Sequence, residues 1–174
     1  MISPWMNAAM SLALAFQAAA PAQQKPQLSP GTQKELAEGK ARYDGANDPI
    51  ARAKALEKLG RAEIKASREM TSAGDFEAAL QYVKDYNDQA HERHDALQKT
   101  SVNAEKHSNG FRQLQISVRE CIRDVREIAE QVPYAQRQPF EAQQQSLEDL
   151  NQQLILELFP RQPGHKPEKE NREQ

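Results

Sequence analysis

AGDFEAALQYV, residues 73–83, holds the most informative local pattern in the chain. Gly74 frees the backbone for a turn, and Asp75 follows it where a carboxylate can accept a hydrogen bond from an unpaired amide at the start of a new helix. Phe76, Ala79, Leu80 and Val83 then recur at three- and four-residue spacing, which places them on one helix face. The stretch predicts the elbow of a helical hairpin, with Gly74 at positive φ and Ala79 small enough to let the two helices approach.

Outward from the elbow the helical spacing continues in both directions. Upstream, Asp48 and Pro49 form a paired start signal, a cap followed by a residue preset for the first helical position. The helix they open runs to about Ser72 and carries Ile50, Ala53, Leu56, Leu59, Ile64 and Met70 on its apolar face. The run RAEIKAS dilutes that face, and the closest packing is expected near Gly60. A shorter amphipathic stretch, Thr32 to about Tyr43, precedes the turn DGANDP. Downstream, the stripe passes through Tyr86, Ala90, His94 and Leu97 before Thr100–Gly110 breaks the pattern as a loop.

Phe111, Leu114, Val118, Cys121 or Ile122, Val125, Ile128 and Val132 make the most regular apolar repeat, and Pro133 ends it. A last helix begins at Pro139 with Phe140, Leu147, Leu150, Leu154 and Leu158 inward, stopping before Pro160. Its final turn, LILELF, is apolar on more than one face, so it is either clamped between neighbours or offers a contact surface. No segment alternates with period two over a useful length. The fold class expected is all-α, an antiparallel helical bundle or hairpin array of four main helices with a possible short fifth.

Residues 1–22, MISPWMNAAMSLALAFQAAAPA, carry no charged side chain, and Ala8–Ala20 is too short an apolar run to span a bilayer comfortably. With Ala20 and Ala22 in an A-x-A arrangement, the segment reads as a signal peptide cut before Gln23. No Lys or Arg follows Met1, which keeps an uncleaved anchor or an Ala-rich tail as alternatives. Export would place the chain in the periplasm or outside the cell, with no transmembrane span in the mature form. Residues 23–31 read as a flexible leader, 32–159 as the helical domain, and 160–174 as a disordered tail without bulky apolar residues.

At 174 residues the chain can bury a core without a metal or a disulfide, and its single cysteine rules out an internal disulfide. Its 23 basic and 25 acidic residues are interspersed, for a formal charge of −2, so no broad basic field is available for nucleic acid.

Gly74, Asp75, Phe76, Ala79 and Leu80, with Ser67 one turn back in the preceding helix, resemble the turn, aromatic and small-residue core of a tetratricopeptide repeat. The resemblance covers residues 67–83, roughly half of one repeat, and no second copy appears at a period near 34 residues. Ala66, Tyr86 and His91 stand where the family favours a leucine, a small residue and a proline. It implies a protein-binding hairpin, and a plain helical elbow explains the same residues.

Other constellations are weaker. His91 and His94, with Asp88 and Asp95 nearby, are spaced so that side chains could reach one divalent metal. HERH is not the HExxH arrangement, however, and His94 lies on the apolar stripe while His91 lies off it. His107 falls in the following loop. Cys121 shares the face of Phe111–Val132, the position of a buried, inert thiol. Arg112, Arg119, Arg123, Arg126 and Arg137 are interleaved with Glu120, Asp124, Glu127 and Glu130, the pattern of an ion-paired surface. The glutamines at 143–145 are punctuated by leucines and read as a polar helix face.

No nucleophile elbow, phosphate-binding glycine loop, zinc-finger spacing or calcium loop occurs, so neither catalytic residues nor a cofactor is expected. The expected role is non-catalytic protein or peptide binding, or scaffolding, in the cell envelope, with another protein or a second copy as partner. The alternative is a small metal- or ligand-responsive bundle using His91 and His94. Gly74, Asp75, Phe76, Ala79 and Cys121 are the expected structural positions.

Overall fold

The computed structural model describes residues 26–160 apart from 101, 102 and 107. The expected signal peptide and the tail from residue 161 onward lie outside the described residues. Among the described residues five helices follow one another: α1 (Pro30–Asp44), α2 (Pro49–Ser72), α3 (Phe76–Lys99), α4 (Asn109–Gln131) and α5 (Gln138–Leu158), with a short 3-10 turn at Tyr134–Gln136 before α5. Among the described residues there is no strand, and no helix is long and apolar enough to cross a membrane.

The helix boundaries follow local chemistry. The Asp48 carboxylate accepts from the Ala51 amide while Pro49 takes the first helical position of α2. Ser29 and Pro30 repeat the device for α1, with Ser29 Oγ accepting from the Thr32 amide. α1 therefore begins at Pro30 and not at Thr32, and the last part of the expected leader belongs to the domain. Ser29 is tied down further, since its amide and its hydroxyl donate to the two carboxylate oxygens of Glu69, each at 2.9 Å. Leu28 packs against the core. The polar, proline-broken composition of this segment conceals a cap whose partner lies on α2.

Consecutive helices run antiparallel, and α2, α3, α5 and α4 close a ring in that order. Arg61 pairs with Glu120, and Arg68 with Asp124 and Glu127, so α2 and α4 advance in step and lie parallel. Asn87 to Gln143 and His91 to Ser146 show the same relation for α3 and α5. Two hairpins, α2–α3 and α4–α5, are thus stacked side by side. α3 and α4 meet across the diagonal, where the hydroxyls of Tyr86 and Ser117 are 2.8 Å apart. α1 lies outside the ring, against α2.

The predicted apolar faces form one continuous core, with Leu56, Val83, Leu97, Leu114, Val118, Ile128, Leu147, Leu150 and Leu154 fully buried. Each such side chain contributes on the order of 2 kcal/mol relative to exposure. α2 is the central helix, flanked by α1, α3 and α4, and this explains why it carries small residues on several faces. Ala53, Ala55, Ala62 and Ala66 are all buried there. At Gly60 the ring of Tyr86 takes the place of a side chain, and at Gly39 of α1 an added Cβ would stand 3.0 Å from the Leu59 backbone of α2.

Candidate functional site

The elbow at residues 72–76 is built by two interlocking caps. Gly74 has a φ of 80°. Its amide donates to the Thr71 carbonyl at 3.0 Å, and the Asp75 amide to that of Met70 at 2.9 Å, the paired bonds of a Schellman ending for α2. The Asp75 carboxylate then accepts from the Ala78 amide at 3.0 Å and opens α3. Ala79 is wholly buried in the helix contact, while Phe76 and Leu80 are half-buried.

The second elbow, between α4 and α5, lies at the same end of the bundle because α4 runs parallel to α2. Pro133 and the 3-10 turn form it, and Arg137 braces it by donating Nε to the Val132 carbonyl at 2.8 Å and a terminal nitrogen to that of Glu130 at 3.0 Å. Between the two elbows is a groove of about 500 Å³. Phe76, Leu80, Ala135, Pro139 and Phe140 make its walls, Asp75 and Glu77 supply its charged lining, and Gly74 and Gln136 complete it. Tyr134, the residue before Ala135, is 88% exposed. The groove is concave, mainly apolar and acidic at the edge; one side rests on the capped ends of α2 and α3, the other on the turn that Arg137 braces.

α5 separates the two histidines of the metal hypothesis. His94 is buried with Nε2 3.0 Å from Glu157 Oε1, whereas His91 Nε2 is 3.0 Å from Ser146 Oγ. These partners stand about three turns apart on α5. Among the described residues, no three His, Cys, Asp or Glu side chains converge as a metal site. His107 lies outside the described residues.

Cys121 is buried beside a second cleft, of about 410 Å³, between α2 and α4. Burial holds its thiol well above the ordinary cysteine range, and Asp124 adds to the effect, so the thiolate is disfavoured. The cleft floor is Gly60, Tyr86 and Ser117, and its mouth is crossed by Arg61–Glu120 at 3.2 Å and Arg68–Asp124 at 3.0 Å. The arginines lining the cleft are thus matched by carboxylates, several of them on the neighbouring helix.

Sequence periodicity missed one chemically notable group. Glu63, within RAEIKAS, is 5% exposed, and burial pushes its carboxyl up to about 7. Oε1 accepts from Gln89 Nε2 at 2.8 Å, whereas Oε2 has no hydrogen-bond partner among the described residues. Only its four-residue spacing from Leu59 and Ser67, both buried, hints at its placement. Comparison with known family models, curated proteins and solved structures gives no match for this chain.

Proposed function

We propose that the chain is an exported, non-catalytic binding protein of the cell envelope, and that its elbow groove receives an apolar segment of a protein partner. The observation that carries this reading is the groove itself, in which Phe76 and Leu80 of one hairpin face Pro139 and Phe140 of the other. Apolar concave sites with a few polar groups at the edge are the usual form of a recognition site. The Asp75 cap on one side and the Arg137 brace on the other hold the walls in place, which lowers the ordering cost of binding. A protein partner also suits the hairpin resemblance of residues 67–83, whose Phe76 and Leu80 contribute to the groove.

The test is selection of peptides from a displayed random library against the purified chain, followed by measurement of their binding to Ala135→Trp. Ala135 is exposed and lines the groove, so tryptophan fills it without entering the core. The selected peptides should lose at least about tenfold in affinity while the unfolding temperature stays unchanged. Equal binding to both forms would remove the groove from the account.

A further inference from the structure

Among the described residues, three large hydrophobic side chains remain exposed: Tyr134 at 88%, Leu156 at 57% and Phe159 at 72%. Tyr134 stands beside the groove. Leu156 and Phe159 belong to the other end of the molecule, because α5 begins at the groove and runs about 30 Å away from it before they occur. Leu156 lies in the last turn of α5 and Phe159 three residues on, at the C-cap with a φ of −133°, while Leu154 and Leu158 between and beside them are buried in the core. The apolar end of LILELF therefore splits into a buried pair and an exposed pair.

We infer that the exposed pair, Leu156 and Phe159, inserts into the elbow groove of a second copy, so that the chain associates head to tail. The proposal rests on the reading of the groove as a protein-binding site and names its occupant. Knob and groove sit at opposite ends of one molecule, so they can meet only between copies.

Charge points the same way. Asp75 and Glu77 line the groove, and exposed Glu141 follows in the first turn of α5. Arg137, nearby, keeps its positive charge while donating to the carbonyls of Val132 and Glu130, so the three carboxylates outnumber it at this edge. In the sequence after Phe159, Arg161 and Lys166 come before the first acidic residue, Glu168. An apolar pair followed by basic residues thus complements an apolar groove with an acidic edge, and such a pairing sets orientation as well as attraction.

With copies placed end to end, a contact of this kind does not close through a two-fold axis, so it builds chains or rings. Two knobs in one groove bury well under the roughly 1,000 Å² of a stable interface, which makes the association weak and reversible.

The experiment is sedimentation velocity on the mature chain, Gln23 to Gln174, over about a hundredfold range of concentration. The wild type should sediment faster as concentration rises, without a plateau at the dimer, and the effect should diminish with added salt. Leu156→Gln/Phe159→Gln and Ala135→Trp should each remain monomeric, with circular dichroism melts matching the wild type, since all three positions are exposed. Mixed in equal amounts, the two variants should form a dimer that grows no further, because each keeps one intact half of the contact. A wild type that stays monomeric throughout, a saturating dimer indifferent to Ala135→Trp, or a mixture that does not dimerise would overturn the proposal. If library-selected peptides still bind the groove while the wild type stays monomeric, the head-to-tail contact fails and the groove reading stands. If Ala135→Trp alters neither, both fail.

Discussion

The ring of Tyr86 lies against the backbone of Gly60, so closely that a Cβ added to the glycine would stand 2.3 Å from Cε2 of the tyrosine. The ring is held in place, being 1% exposed with its hydroxyl 2.8 Å from that of Ser117. α2, α3 and α4 are locked together at this point.

Gly60→Ala separates this contact from helix propensity by the sign of its effect. On propensity alone, alanine in a helix interior is favoured over glycine by about 1 kcal/mol. Overpacking against Tyr86 should reverse that and destabilise the protein by about 1 to 3 kcal/mol. Urea denaturation decides between them, and a stabilised Gly60→Ala would show that the ring moves aside.

The elbow makes a graded prediction. A Cβ at Gly74 meets nothing within 4 Å, so the penalty there comes from backbone conformation alone. Gly74→Ala should cost about 1 to 2 kcal/mol, and Gly74→Val more, because β-branched residues rarely tolerate positive φ. Loss of the cap in Asp75→Ala should cost about 1 kcal/mol. Ala79→Leu should cost about 1 to 3 kcal/mol by overpacking the hairpin. Chemical denaturation of the set would contradict the elbow if Gly74→Val and Ala79→Leu both matched the parent.

Glu63 gives stability a pH dependence of definite sign. Its carboxyl is raised from 4.5 to about 7 by burial, with Asp85 reinforcing the shift, while the Gln89 hydrogen bond and Lys40 oppose it. Between those two values the folded state holds a proton that the unfolded state has released, so stability falls as pH rises from 4.5 through 7 and then levels off. The loss should be on the order of 3 kcal/mol. Glu63→Gln keeps the shape and removes the titration. Its stability should be flat over that range apart from the other carboxyl groups, and a variant retaining the full slope would assign the effect elsewhere.

Export is tested at the N-terminus. The uncharged residues 1–22 and the Ala20-Pro21-Ala22 motif lead us to expect a mature chain beginning at Gln23. Mass spectrometry of the protein from its native host should find that terminus, and an intact Met1 would contradict it.

The helices were legible because their ends carry local chemistry: Asp48 before Pro49, Gly74 before Asp75, and Pro133 after a regular apolar repeat. Ser29 uses the same chemistry, but its tie to Glu69 joins residues 40 positions apart, and no local pattern reports that. Glu63 was illegible for a different reason. A charged residue within a diluted apolar face reads as solvated, and only the sandwiching of α2 among α1, α3 and α4 buries it. Phe76 and Phe140 were each recognisable as apolar anchors, yet the groove they share exists because two hairpins stack in parallel. The spacing of His91 and His94 was visible, while the packing of α5 that draws them to different partners was not.

The central claim, that the elbow groove is the binding surface, is tested most directly by mapping amide chemical shifts as a library-selected peptide is added to isotope-labelled protein. The account predicts that the largest changes fall on Phe76, Glu77, Leu80, Ala135 and Phe140, with α1 undisturbed. Changes centred instead on Arg61, Ser117 and Cys121, in the cleft between α2 and α4, would contradict it.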